Sequence, residues 1–215
     1  MVWGGIVGQQ VNPSAIYEVV KKEKWVTWKP DFIVLHNTAV PSLAQRPQGF
    51  TKAHIDALEG FYRDVQGWSS GPHFFVDDKS IWLFSPMTKP GTHSPSWNRV
   101  SIGIEMLGDY AKEEFTSGRG ALVRANTVKL MAALGRKLNL IPSTFKYHVY
   151  DPKTDHDCPG IKARRDRINF VNDIHSAAAL LDAPPDVKTE SMPFTDLHVP
   201  PNDLPPWGGW DKDKN

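Results

Sequence analysis

The sequence predicts an α/β protein, and three observations support that class. Apolar runs rich in β-forming residues recur along the chain, at 32–35, 73–76, 81–84 and 100–105. Segments 51–65 and 121–138, which are interleaved with these runs, carry apolar residues at helical spacing. Hydrophobic residues make up 40% of the 215 positions, which is enough for a buried core. Strands interleaved with helices predict a sheet covered on at least one face.

The first elements are a short helix and a buried strand. Asn12 can cap the helix and Pro13 suits its first position, where a missing N–H costs nothing. Strand 32–35 follows and ends on His36, so we expect that ring at the edge of the sheet. Residues 37–50 are irregular and predict a surface loop beside His36.

The next stretch predicts a helix, a hairpin and a further strand. Thr51 opens the helix, and the glycines between 67 and 71 end it. Its predicted buried face consists of Ile55, Leu58, Phe61, Tyr62 and Val65. Runs 73–76 and 81–84 flank a polar tetrapeptide and predict a hairpin, and 100–105 predicts another strand.

The last third of the folded part contains two helices around a loop. The first helix spans 121–138, with apolar positions Leu122, Val128, Met131, Ala132 and Leu134. A short strand or the end of a strand is predicted at 147–149, and a turn-rich loop is predicted at 151–160. The final helix is predicted at 161–179.

The composition changes abruptly near residue 182. Seven prolines lie between 184 and 206, which is typical of a linker or an extended tail. We therefore divide the chain into a folded domain, 1–181, and a Pro-rich C-terminal tail, 182–215. Trp207 and Trp210 are candidate anchors of that tail.

Charge and cysteine content exclude several classes of protein. The formal net charge of +1 does not require nucleic acid as a partner. The single cysteine excludes an intrachain disulfide framework. No apolar run is long enough to span a membrane, and the first ten residues lack the pattern of a secretory signal. We expect a monomer made in the cytoplasm, without stable membrane insertion.

Two histidines and the cysteine form a candidate zinc site. Zinc enzymes use about three N, S or carboxylate ligands and keep one position open. His36 ends a strand, while His148 and Cys158 flank a loop that can fold back onto one metal ion. Spacing alone leaves an alternative equally open, in which the thiol is simply buried and the histidines are unrelated to it.

Three segments together resemble the zinc-dependent N-acetylmuramoyl-L-alanine amidases. They are Ile33 to Thr38, Ser101 to Glu105 (SIGIE) and Asp157 to Gly160 (DCPG). This superfamily includes phage endolysins, bacterial muropeptide amidases and animal peptidoglycan recognition proteins, and the resemblance extends over about 31–167. It implies a mixed central β-sheet with helices packed on its faces, zinc in a surface groove, and a catalytic role for domain 1–181.

The resemblance assigns roles to individual residues. It implies His36, His148 and Cys158 as the zinc ligands. Asp157 is a rival ligand, but relatives that use a carboxylate have it directly before Pro-Gly, where this chain has Cys158. Glu105 in the SIGIE segment corresponds to the general base of similar bacterial amidases. The alternative for Glu105 is a salt-bridged carboxylate at the sheet edge.

The sequence departs from the family pattern at two positions. His156 stands where many relatives carry a lysine that stabilises the tetrahedral intermediate, so we assign that role to His156 and regard Lys153 as a weaker substitute. Pro72 stands where phage relatives often carry a tyrosine. The absence of that tyrosine makes the reaction depend more heavily on Glu105.

Residues 91–98 resemble the substrate-groove segment of the family. His93 and Asn98 are therefore predicted to contact the muramyl or peptide part of the substrate, and Trp97 is predicted to stack on sugar. Ordinary loop and packing roles are the alternatives for all three. The remaining histidines are predicted to be structural or on the surface.

The implied activity is hydrolysis of the amide bond between N-acetylmuramic acid and L-alanine in peptidoglycan, with zinc as cofactor. Peptidoglycan or soluble muropeptides are the expected partners, and nucleic acid is not. The alternatives are a cytosolic amidase of recycled muropeptides and a binding module that does not cut. An endolysin would leave the cytoplasm to act on the bacterial cell wall.

Overall fold

The computed structural model describes residues 3–181, and these residues contain a mixed sheet of six strands. The strands are β1 (Gln9–Val11), β2 (Phe32–Asn37), β3 (Phe74–Val76), β4 (Ile81–Leu83), β5 (Ser101–Met106) and β6 (Lys146–Tyr147). Their order across the sheet is β1-β4-β3-β5-β2-β6. This architecture confirms the predicted α/β class. The predicted tail, with Trp207 and Trp210, lies outside the described residues.

The helices are α1 (Ile16–Lys22), α2 (Lys52–Gly60), α3 (Gly118–Leu138), α4 (Ile161–Arg165) and α5 (Arg167–Leu180). Helix α3 packs against α1 and α5 and also against β3 and β5. Its buried side chains include Leu130, Met131 and Leu134. It ends at Asn139, whose left-handed backbone (φ 56°, ψ 46°) is common just after a helix.

The centre of the sheet is parallel and its other end is antiparallel. Strand β2 pairs in parallel with β5 and β6, and β3 pairs in parallel with β5. The predicted hairpin is present as β3 and β4, and β1 adds to β4 in the antiparallel sense. The central strands are buried on both faces, which explains why they are almost continuously apolar.

Strand β1 is polar, so the hydropathy of the sequence does not predict it. Its residues are glutamine, glutamine and valine, and only Val11 is buried. The predicted first helix is confirmed: the Asn12 side chain accepts a hydrogen bond from the Ser14 N–H, Pro13 begins a 3-10 turn, and α1 follows.

The predicted buried face of the second helix is wrong at two positions. Phe61 is 44% exposed and Val65 is 70% exposed. Helix α2 is followed by a π-helical turn from Phe61 to Val65, in which the Gln66 N–H donates to the Phe61 carbonyl. Hydrogen bonding from i to i+5 changes the number of residues per turn, so a pattern of regular helical period no longer follows one face.

The structure also differs from three other sequence predictions. Leu122, predicted to be buried on α3, is 52% exposed. The single helix predicted at 161–179 is divided at Asp166, whose carboxylate pairs with Arg124 Nε at 2.5 Å. The strand predicted at 147–149 ends at Tyr147, and a 3-10 turn carries His148. Among residues 3–181, no helix is both long and apolar enough to cross a bilayer.

Candidate metal centre

The register of the parallel strands brings three of the predicted site residues to one edge of the sheet. His36 on β2 lies directly opposite Glu105 on β5. Leu35 lies opposite Tyr147 on β6, so His148, the next residue, leaves the sheet beside His36. The carboxyl ends of parallel strands are where open α/β sheets usually bind ligands.

Cys158 completes a group of three possible metal ligands. One donor atom from each of His36, His148 and Cys158 lies within 4.8 Å of the others. The His36 and His148 ring centroids are 4.4 Å apart. The loop is held by a hydrogen bond from the Val149 N–H to the Cys158 carbonyl (2.8 Å), and the Asn37 N–H donates to Cys158 Sγ (3.2 Å).

This donor set fits a zinc ion. Two imidazoles and one thiolate are typical zinc ligands. His148 Nε2 is buried and has no hydrogen-bond partner within the described part of the chain. Burial, together with the charge of Glu105, raises the pKa of the Cys158 thiol well above its usual value. A divalent cation between these side chains would reverse that effect, because a coordinated thiol loses its proton.

Burial favours the neutral form of the two histidines that are candidate ligands. Burial, with His93 and His148 nearby, lowers the pKa of His36 well below 6.5. Burial also lowers the pKa of His148, and His156 adds to that effect. Neutral imidazole is the form that binds a metal ion.

Glu105 is largely removed from water at this edge. Its side chain is 15% exposed, and Oε1 lies 3.8 Å from His36 Nδ1. Burial raises the pKa of Glu105 to about 8. Within residues 3–181, His36 is the only basic side chain within ion-pair distance of Glu105, so the structure gives no support to a salt bridge with lysine or arginine.

The three candidate ligands and Glu105 open into a cleft of about 330 Å³. The exposed His156 also lines this cleft, and its ring centroid is 5.8 Å from that of His148. Asp157 is exposed and pairs with Arg164 at 2.5 Å, which agrees with a turn residue rather than a ligand. Lys153 is not among the residues that line the cleft.

Of the three predicted substrate contacts, only His93 lines the cleft. His93 lines the cleft, but it is only 7% exposed and contacts His36. Asn98 Oδ1 accepts hydrogen bonds from the N–H groups of His93 and Ser94, both at 2.7 Å. Trp97 packs edge-on against Phe32. Neither Asn98 nor Trp97 lines the cleft: Asn98 is hydrogen-bonded within its own loop, and Trp97 packs against strand β2.

Sequence reasoning missed three residues that shape the cleft. Tyr62 and Trp68 line one wall, and their rings are stacked with centroids 5.1 Å apart. The sequence does not predict that Tyr62 and Trp68 meet, because the helical segment ends between them. Asp151 is buried, and its carboxylate accepts hydrogen bonds from Ser94 Oγ (2.5 Å) and the Ser96 N–H (2.9 Å). It thereby links the two loops that carry His93 and His148.

Comparison with known proteins places this site in a family context. Residues 27–161 match the family Amidase_2, described as N-acetylmuramoyl-L-alanine amidase. Peptidoglycan-recognition protein 1 of Holotrichia diomphalia is 25% identical over 114 residues. That match covers 47% of this chain and 57% of the length of the relative.

Two solved structures share the fold. The endolysin N-acetylmuramoyl-L-alanine amidase LysCS from Clostridium intestinale is 24% identical, with a TM-score of 0.52 over 70% of this chain and 92% of its own. Drosophila PGRP-LB is 19% identical, with a TM-score of 0.54 over 68% and 85% of the two chains. Both similarities support the mixed sheet with packed helices.

The raised pKa of Glu105 makes the stability of the zinc-free protein depend on pH. Native Glu105 keeps its proton up to about pH 8, whereas the unfolded chain releases it near 4.5. The contribution of Glu105 to the free energy of unfolding therefore falls as the pH rises between those values. Glu105→Gln removes this loss, so the variant should gain stability over the wild type between pH 5 and pH 8. The difference in unfolding free energy between the variant and the wild type should grow by about 1.4 kcal/mol per pH unit at most.

Urea unfolding of both proteins in the presence of a chelator, at pH 5, 6, 7 and 8, measures this difference. The lowered pKa values of His36 and His93 act in the opposite direction below pH 6.5, but they are present in both proteins. A difference in unfolding free energy that stays constant with pH would show that native Glu105 titrates normally.

Proposed function

We propose, since this chain belongs to the N-acetylmuramoyl-L-alanine amidase family, that it is a zinc-dependent hydrolase of peptidoglycan. The scissile bond is the amide between N-acetylmuramic acid and L-alanine. The observation that carries this proposal is the convergence of His36, His148 and Cys158 beside the largely buried carboxylate of Glu105. The Holotrichia relative is named for peptidoglycan recognition, which supports the wall polymer or its fragments as partner.

His36, His148 and Cys158 would hold the zinc ion. When bound, zinc supplies a Lewis acid that polarises a carbonyl and lowers the pKa of water to about 7. The protein presents its two imidazoles in the neutral form, and the Asn37 N–H donates to the sulfur ligand. Such a hydrogen bond orients the ligand and spreads its charge.

Glu105 acts as the general base. Its carboxylate takes a proton from the attacking water, whose oxygen bonds to the lactyl carbonyl carbon. The same carboxyl then gives that proton to the alanine nitrogen as the C–N bond breaks. The products are a glycan with a free lactyl carboxylate and a stem peptide with a free L-alanine amine. A cation beside Glu105 favours its ionised form, which offsets the effect of burial.

His156 stabilises the developing oxyanion. It lies on the cleft wall next to His148, and its side chain is open to solvent and free to approach a bound substrate. An imidazole N–H can donate to the carbonyl oxygen as negative charge accumulates there. Asp157, the next residue, pairs with Arg164.

Digestion of purified bacterial sacculi tests the proposed bond cleavage. Mass spectrometry should detect stem peptides with a free L-alanine amine, and a zinc chelator should abolish their release because the ligand set is then empty. Restoring zinc should restore release. A protein that binds sacculi and contains zinc but releases nothing, from either sacculi or soluble muropeptides, would favour a recognition module instead.

The general-base assignment predicts a large kinetic effect at Glu105. Glu105→Gln should lower kcat by about 10²–10⁴, because general acid–base groups contribute in that range. Zinc content should remain at the wild-type level, since Glu105 is not one of the three ligands. The exposed Glu18 on α1 offers a matched control, and Glu18→Gln should change neither quantity. Near-normal turnover by Glu105→Gln with zinc retained would exclude Glu105 as the base.

The role of His156 predicts a smaller loss. His156→Ala should lower kcat by about tenfold to a hundredfold, below the full value of a buried oxyanion donor because water reaches this side chain. KM and zinc content should change little. His175→Ala, at an exposed position of α5, is the matched control. An unchanged kcat for His156→Ala would remove this residue from the mechanism.

A further inference from the structure

Behind the candidate metal centre, two buried histidines share a hydrogen bond. His36 Nε2 and His93 Nδ1 are 3.1 Å apart, and the rings meet nearly edge to face. Both side chains are almost completely buried. Because each neutral imidazole carries one N–H, one ring must donate and the other must accept. The surroundings of the second nitrogen of His93 decide which ring does so.

His93 Nε2 faces two oxygens that can only accept from it. The Ser101 carbonyl lies at 3.3 Å, and Ser101 Oγ lies at 3.5 Å. The Ser101 hydroxyl proton is already donated to the Trp97 carbonyl at 2.7 Å. The proton of neutral His93 must therefore be on Nε2, which leaves Nδ1 as an acceptor. It follows that His36 donates from its own Nε2.

The neighbouring elements are shaped around this arrangement. A Cβ atom at Gly103 would lie 2.4 Å from His93 Cγ, so β5 accommodates the ring only because residue 103 is glycine. The backbone of His93 is fixed by Asn98, whose Oδ1 accepts its N–H at 2.7 Å. The position of His93 is thus fixed by the hydrogen bond from its backbone to Asn98 and by the contacts of its Nε2 with Ser101.

We propose that His93 is a positioning residue for the metal centre, and not a contact to substrate. It fixes His36 in the tautomer with the proton on Nε2, so that the lone pair of Nδ1, the nitrogen facing Glu105, is presented to zinc. Ligating histidines commonly donate their other N–H to a carboxylate or a carbonyl. Here the acceptor is a second neutral imidazole, which in turn donates to a carbonyl. The inference rests on the proposed function in that zinc is the metal.

Two isosteric substitutions separate the two hydrogen bonds of His93. His93→Asn places an acceptor oxygen near the position of Nδ1 and keeps the contact to His36. His93→Gln reaches the position of Nε2 and keeps the contact to Ser101, but it leaves His36 without its acceptor. Gly103→Ala is a third variant, because its methyl group must displace the ring.

Zinc affinity, measured by competition with a chromophoric chelator, is the first readout. His93→Gln and Gly103→Ala should bind zinc about ten- to a hundredfold more weakly, while His93→Asn stays within about threefold of the wild type. The second readout is the ¹⁵N chemical shift of the His36 ring nitrogens in the zinc-free protein. Wild type and His93→Asn should show Nε2–H, and His93→Gln should show a mixture of tautomers.

A wild-type His36 that carries its proton on Nδ1, or equal zinc affinity for the Asn and Gln variants, would overturn the proposal. The wild-type spectrum decides the question even if a variant fails to fold, which thermal unfolding of the zinc-free proteins would reveal. Failure of the proposed function looks different. In that case wild-type His36 is protonated on Nε2, but the protein does not bind zinc or release stem peptides.

Discussion

The site depends on the parallel register of strand β2 with its two neighbours. That register sets His36 opposite Glu105 and places His148 one residue beyond the pair formed by Leu35 and Tyr147. A slip of one residue would turn every side chain of β2 to the other face of the sheet. The register is fixed by buried apolar residues such as Val34, Leu35 and Ile104, all fully buried. The core thereby determines the geometry of the candidate metal centre.

Only Cys158 among the candidate ligands comes from outside the sheet edge, so its loop must be held by polar contacts. The buried Asp151 supplies several of these polar contacts. Its carboxylate accepts hydrogen bonds from Ser94 Oγ and from the Lys153 N–H, and so it joins the loop after β6 to the loop that carries His93. A buried carboxylate with several donors is costly to disrupt. The candidate metal ligands and His93 are therefore linked through the same set of polar contacts.

The sequence predicted the features that depend on local pattern. Strand β2, helix α3 and the hairpin β3–β4 follow from apolar runs and their periods, and the order of His36, Glu105 and Cys158 along the chain identified the family. Contacts between distant residues that the family pattern does not specify were not predictable. His93 resembles a groove residue in sequence, yet its ring contacts His36, 57 residues away. The π-helical turn likewise moved Val65 to the surface without any signal in the pattern.

X-ray absorption spectroscopy at the zinc edge tests the central claim most directly. For the zinc-loaded protein, the structure predicts one sulfur ligand at about 2.3 Å and nitrogen ligands at about 2.0–2.1 Å. In Cys158→Ser the sulfur contribution should disappear. A wild-type zinc shell made only of nitrogen and oxygen, or one that keeps its sulfur when Cys158 is replaced, would contradict this assignment of the metal centre.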